Sequence, residues 1–270
     1  MPELVLRFDH VTVAFDGDPA IEDVSFEIRH GESLVILGAA GSGKTVILKT
    51  ALGLLRPDSG SVWLFGQDIT RMPEKQLFEI RARCGILFQE SALFDSFTIE
   101  ENVAYPLENQ TTVRCPPEQV RPRVEEALRF VELENTLGKF PSQLSGGMRR
   151  RVGIARANVT EPDLVLYDSP TAGLDPITAN NIMALIVKER DVRRATTIIV
   201  TQRFQDGRIM AKYRYDPASK ELELAGTNGQ PAVHGLKFLV MKDGRVVFEG
   251  TEKELGESAD PYISKFVMRD

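Results

Sequence analysis

Gly38-Ala39-Ala40-Gly41-Ser42-Gly43-Lys44-Thr45 reads G-x-x-x-x-G-K-T, and its flanks say how it folds. Before it, Ser33-Leu34-Val35-Ile36-Leu37 is a short apolar run, as a buried parallel strand would be. After it, Val46, Ile47, Ala51 and Leu54 recur at helical spacing, so a helix is expected from about Lys44. Strand, glycine loop and helix are the context in which this pattern cradles phosphate. Glycines let backbone N–H groups approach a phosphate chain, and the helix start adds partial positive charge. Gly38, Ala39, Ala40, Gly41, Ser42, Gly43, Lys44, Thr45 and Val46 are the expected nucleotide-binding residues. Lys44 can reach the β- and γ-phosphates, and the Thr45 hydroxyl can ligate Mg²⁺. The alternative is a glycine-rich turn that matches by accident.

Composition narrows the class. The 270 residues suffice for one large α/β domain with small attachments. Hydrophobic residues make up 42% and charged residues 27%, as in a soluble globular protein. The net charge of −6 argues against a nucleic-acid-binding domain. Cys84 and Cys115 are too few for a disulfide framework or a metal cluster, so a reducing compartment is expected. No apolar run approaches the ~18–20 residues of a membrane span. The first ten residues carry charges through their apolar stretch, unlike a signal peptide. A cytoplasmic chain is expected, with any membrane role coming through a partner.

Along the chain, residues 4–8, 11–15 and Val24–Ile28 read as three short strands, a small antiparallel layer ahead of the glycine loop. Pro57-Asp58-Ser59-Gly60 is a turn before the strand Ser61–Phe65. Glu74–Arg83 reads as a helix with Leu77, Ile80 and Cys84 on one face, and Gly85–Gln89 as a strand. Residues 109–117 read as a loop, and Val124, Leu128 and Val131 mark an amphipathic helix. Residues 98–160 are thus a mainly helical subdomain. Leu164–Asp168 and Thr197–Thr201 are buried parallel-type strands, separated by a helix from about Thr178 to Arg190. Lys237–Met241 and Arg245–Glu249 flank the hairpin signal Asp243-Gly244. The fold class is α/β, with a parallel sheet around the phosphate loop.

Two further motifs bear on phosphate chemistry. Leu164-Val165-Leu166-Tyr167-Asp168 is an apolar strand ending in an acid, the arrangement that sets an Asp beside the Mg²⁺ of a phosphate loop. Leu144-Ser145-Gly146-Gly147-Met148 precedes a helix with Met148, Val152, Ala155 and Val159 on one face. Arg149, Arg150, Arg151 and Arg156 lie mostly elsewhere. Ser145, Gly146 and Gly147 at that helix start make a second anion cradle. The bland alternative is a glycine cap beside a solvated basic face.

These pieces together resemble an ATP-binding cassette (ABC) ATPase. The matching segments are residues 38–45, Gln89, 144–148, 164–168 and Ala172-Gly173-Leu174-Asp175-Pro176, in family order over nearly the whole chain. The resemblance implies the ABC ATPase fold over residues 1–255 with a C-terminal tail at 256–270. It implies a head-to-tail dimer, each ATP held between one Lys44 loop and the partner copy's Ser145-Gly146-Gly147. Phe15 matches the family's adenine-stacking aromatic, although a core strand position would also explain it. Gln89 matches the residue that couples Mg²⁺ and the attacking water to a transmembrane permease. Asp175 falls in the loop that crosses the dimer interface.

Two positions depart from the pattern. The family's glutamate directly after the Mg²⁺-side Asp is replaced by Ser169. A serine hydroxyl can hold water but is no general base near neutral pH. The family's histidine after the next strand is replaced by Gln202, which can donate a hydrogen bond but cannot become a cation. Lys44, Gln89, Asp168, Ser169 and Gln202 are the expected catalytic positions, with Thr45, Gln89 and Asp168 around Mg²⁺. Loss of a positioned acid–base group costs about 10²–10⁴ in rate, so intact binding with slow hydrolysis is expected. Three explanations stay open: a degenerate subunit that pairs with a competent one, another acid that substitutes once a partner is bound, or deliberate alteration.

The stretch from Phe88 through Val103, with Ala92-Leu93-Phe94-Asp95-Ser96, resembles ATPases serving lipid-trafficking transporters of the Mla/MCE kind. That implies phospholipid as cargo, a permease and a lipid-binding MCE-type protein as partners, and a peripheral place on the inner face of the membrane. Leu93, Phe94 and Phe97 form an apolar patch that could seat a short permease helix, or could be local core. A generic importer ATPase, a soluble ABC module and a binding-only regulatory subunit are the rivals. Residues 212–232 exceed the family's usual connection. Tyr213–Leu224 reads as an inserted hairpin around Asp216–Lys220, either a docking site or a tolerated extension, followed by a turn at 226–231. Asp260–Asp270 reads as a short helical tail.

Overall fold

Inward-facing residues along the first strands fall into two phases, and the change of phase explains their shape. A computed structural model describes residues 3–110, 115–227, 233 and 235–267. Leu6 and Phe8 point inward, then Val11 and Val13 do, with the register irregular between Phe8 and Val11. The two expected strands at 4–8 and 11–15 are therefore one strand, β1 (Leu4–Phe15), bent at a bulge. It pairs antiparallel with β2 (Asp18–Arg29), so two strands rather than three precede the central sheet. The rings of Phe8 and Phe26 stack across this pair at 4.7 Å.

β3 (Ser33–Gly38) is buried at every position and leads into α1 (Lys44–Ala51). Ile47 and Ala51 are buried as the spacing predicted, but Leu54 lies beyond the helix end and is exposed. β4 (Ser59–Leu64) and β5 (Gln67–Asp68) complete the antiparallel layer in the order β2-β1-β4-β5. α2 (Glu74–Arg81) buries Leu77 and Ile80. Cys84 belongs instead to β6 (Cys84–Leu87), which ends before Phe88 and Gln89.

The helical subdomain holds α3 (Ile99–Asn109), α4 (Pro117–Phe130) and α5 (Gly146–Asn158). Thr98 and Glu101 form a capping box at the start of α3. Pro117 begins α4 rather than ending a loop, because a first-turn proline loses no helical hydrogen bond. Residues 111–114 of the expected loop lie outside the described residues.

β7 (Leu164–Asp168), α6 (Pro176–Arg193), β8 (Thr196–Thr201) and α7 (Phe204–Lys212) follow. Then come β9 (Tyr213–Asp216), β10 (Glu221–Leu224), β11 (Leu236–Lys242) and β12 (Arg245–Gly250), and the chain closes with α8 (Glu252–Gly256) and α9 (Pro261–Val267). Among the described residues, the central sheet runs β12-β11-β3-β8-β7-β6, parallel except for the edge strand β12. Strand alternation divides the core. Leu34, Ile36, Leu164, Leu166, Ile198 and Val200 face α1 and the antiparallel layer, while Val35, Leu37, Val165, Tyr167 and Ile199 face α5 and α6.

Residues 213–224 form a two-stranded hairpin, β9–β10, fixed to α6. Arg190 donates to the carbonyl of Tyr213 at 2.8 Å, and Asp191 accepts from the N–H of Tyr215 at 2.9 Å. Residues 228–231 of the turn expected after it lie outside the described residues, as do 268–270 of the tail.

Gly85 sets how closely β6 approaches α5, since a Cβ there would strike the backbone carbonyl of Ala157. Gly85→Ala should cost about 1–3 kcal/mol of stability by overpacking, read from the midpoint of urea unfolding.

Candidate functional site

The carboxyl ends of β3, β8, β7 and β6 meet at one edge of the sheet, where crevices in open α/β folds bind ligands. The register sets Leu37 beside Thr201, Asp168 beside Val200 and Leu87 beside Tyr167. Gly38, Gln202, Ser169 and Gln89 therefore all emerge at this edge.

The loop from Gly38 to Lys44 is shaped by what it touches. Gly43 caps α1 with φ of 96°, a left-handed conformation, and a Cβ there would sit 2.6 Å from the carbonyl of Ala20. Glycine is thus required twice over, by backbone angle and by space. Lys44 is buried and its ammonium donates to the carbonyls of Gly38 at 2.9 Å and Ala39 at 2.7 Å, and to the Ser42 hydroxyl at 3.2 Å. Burial lowers its pKa to about 8, partly opposed by the Asp168 carboxylate. A cation held only by neutral oxygens fits a group kept for an incoming anion.

Thr45 donates its hydroxyl to Asp168 at 2.9 Å, and Ser169 donates to the other oxygen of that carboxylate at 3.1 Å. These hard oxygen donors suit Mg²⁺, which takes one or two carboxylates and completes its shell with water or phosphate. Among the described residues there is no cluster of three His, Cys, Asp or Glu for a metal held by protein alone. Phe15 is 49% exposed, which rules out the core position and leaves its face open to a planar ring. Val46 is half-buried in the first turn of α1.

Ser169 and Gln202 line one cavity of 470 Å³, together with Thr171, Thr201 and Arg203. Asp206, which the sequence reading missed, ties this cavity together. It is buried and accepts from Thr171 and Thr201, each at 2.6 Å, joining the loops that carry Ser169 and Gln202. Nothing in the local sequence marks it. Gln89 has an exposed side chain, while the carbonyls of Phe88 and Gln89 accept from Arg150. Arg150 is buried and also reaches the carbonyl of Ala172, so the solvated-face reading fails for it. It braces the segment after β6 against the loop after β7.

Ser145 caps α5, accepting from the N–H of Met148 at 3.2 Å. Asp175 caps α6 in the same way, through the N–H groups of Ile177 and Thr178. Ser145 and Gly147 line a different cavity, between α5, α6 and the hairpin, and do not meet Lys44 or Gln202 within one chain.

The comparisons agree with this architecture. A family model described as ABC transporter matches residues 21–172. The probable ribonucleotide transport ATP-binding protein mkl of Mycobacterium leprae is 42% identical over 191 residues, 71% of this chain. This chain spans 54% of the length of that relative. The intermembrane phospholipid transport system ATP-binding protein MlaF of Haemophilus influenzae is 35% identical over 255 residues, 94% of this chain and 92% of its own. A dimeric structure of a post-hydrolysis state of the ATP-binding cassette MJ0796, bound to ADP and Pi, superposes with a TM-score of 0.75. It is 28% identical and covers 92% of this chain and 98% of its own.

The Lys44 shift has a direct consequence. Below about pH 8 the group is a cation ready for phosphate, and above it the free protein must first take up a proton. Nucleotide affinity should fall about tenfold between pH 7 and pH 9, measured by isothermal titration calorimetry, with the fall abolished in Lys44→Arg.

Proposed function

This chain belongs to the ABC transporter family, as one of its ATPases, and from that premise we propose that it is the ATP-binding subunit of a phospholipid transporter. The reading of its site rests on one observation, the hydrogen bond from Thr45 to Asp168 beside a Lys44 held only by neutral oxygens. Residues 38–46, Lys44 among them, would hold the triphosphate, and Phe15 would stack on the base. Thr45 and Asp168, with Gln89 nearby, would hold Mg²⁺, which supplies charge neutralisation at the phosphates.

One copy carries half of each site. The Lys44 loop and the Ser145 cradle lie apart in the chain, so a second copy facing it head to tail would bring Ser145, Gly146 and Gly147 onto the nucleotide. The dimeric cassette among the structural neighbours supports this arrangement. Asp175, exposed at the start of α6, would lie near that interface.

Phospholipid as cargo is supported by a relative that matches over 94% of this chain and 92% of its own length, a phospholipid transport ATP-binding protein. The surface at the start of α3 supports a membrane partner. Phe94 packs on Tyr105 at 4.8 Å and on Phe97 at 5.1 Å, and both Phe94 and Tyr105 remain partly exposed. With Phe88 and Pro106, Phe94 and Tyr105 line a cavity of 360 Å³, a surface suited to the short cytoplasmic helix of a permease. A lipid-binding MCE-type protein would complete the assembly. No described helix is long and apolar enough to cross a membrane, so the crossing would be made by that permease. Phe94→Asp should abolish co-purification with an integral membrane subunit while leaving ATP affinity unchanged; retention of the partner would reject this surface.

Hydrolysis in isolation would be slow. Ser169 and Gln202 share the cavity where the attacking water would be held, and neither is a base near neutral pH. The double substitution Ser169→Glu, Gln202→His should raise turnover about 10²–10⁴-fold in a phosphate-release assay, with little change in ATP affinity. Wild-type turnover faster than about one per second would reject this assignment.

A further inference from the structure

The C-terminal helix reaches back to the phosphate loop. Tyr262, on α9, accepts from the N–H of Ala39 at 3.2 Å and donates to the carbonyl of Met241 at 2.9 Å. Met241 pairs with Gly38 in the sheet, so one hydroxyl bridges the entry of the loop and the end of β11. The helix is anchored on both sides of that bridge. Asp260 accepts from the N–H of Tyr262 at 2.7 Å, Ile263 is fully packed, and Phe266 meets the Tyr262 ring edge-on at 5.2 Å.

Between α9 and the loop lies a cavity of 560 Å³. Ala39, Ala40 and Gln202 form one wall, and Tyr262, Lys265 and Phe266 form the other. No carboxylate lines it. Arg203 also borders it, but Asp206 faces that guanidinium at 3.9 Å. Lys265 is exposed, and none of the ion pairs found among the described residues includes it. Lys265 and Gln202, the position where the family pattern has a histidine, thus border the same cavity.

We propose that Lys265 acts at the γ-phosphate end of the nucleotide, supplying from α9 the positive charge that Gln202 cannot, and so makes the chain prefer ATP to ADP. The inference rests on the phosphate-loop reading above. Lys44 and the start of α1 reach the β-phosphate, which both nucleotides carry, as well as the γ-phosphate, so their loss weakens ATP and ADP binding together. A charge beyond Ala40 and Gln202 acts only on the phosphate that ADP lacks. Tyr262 positions it, by holding α9 against Ala39.

The test is equilibrium binding of fluorescent ATP and ADP analogues to the full chain, with Mg²⁺ present. Lys265→Ala should weaken ATP binding about tenfold, the loss of one charge pair, and leave ADP binding unchanged. Lys265→Arg should retain the preference, and raising the salt should shrink it in wild type. Tyr262→Phe should reduce it partly, again without affecting ADP. Equal loss for both nucleotides in Lys265→Ala, or no loss, would overturn the proposal. So would a preference abolished by Arg203→Gln and untouched by Lys265→Ala. Lys44→Ala should weaken both nucleotides. If wild type binds neither, the phosphate-loop reading itself has failed, and Lys265 loses its role with it.

Discussion

The hydroxyl of Thr45 and the carboxylate of Asp168 meet at 2.9 Å across 123 positions of chain. That contact exists only because β3 and β7 run parallel on either side of β8, so that their carboxyl ends finish level. Each of these strands is buried at every position, and each sends alternate side chains into one of two apolar layers. The sheet is therefore fixed from both faces, and the residues at its edge inherit that rigidity. A slip of one residue in β7 would turn Asp168 away and expose the Tyr167 side to the opposite layer.

The same edge carries a set of braces that are not themselves ligands. Arg150 crosses from α5 to carbonyls on the segments after β6 and β7, and Asp206 joins the segment after β7 to the end of β8. Buried charges of this kind are costly unless hydrogen-bonded, and here the bonds are to loop groups whose position matters for the site. The helical subdomain is thereby linked through α5 to the loops beneath the expected water site.

Much of this was legible in the sequence because it depends on local pattern. The strand, glycine loop and helix around Lys44, the apolar strand ending at Asp168 and the glycines after Ser145 each need only a few adjacent residues. The replacement of the usual glutamate and histidine by Ser169 and Gln202 could be seen in the same way. What was illegible arises from contacts between distant segments. The break in β1 looked like a gap between strands, because a bulge reverses the alternation that marks a strand. Arg150 looked like part of a basic surface, although it is buried under the loops it braces. The bond from Ala39 to Tyr262 spans 223 positions, and no spacing rule could announce it.

In the proposed dimer each nucleotide is enclosed by Lys44 of one copy and Ser145 of another. The most direct measurement mixes two inactive variants, Lys44→Ala and Ser145→Arg, and follows ATP-dependent dimerisation by light scattering. Each variant alone should stay monomeric, since every site in its own dimer is damaged. Mixed together they should dimerise with ATP, because the heterodimer holds one site with both halves intact. No dimer on mixing, with wild type dimerising under the same conditions, would contradict the account.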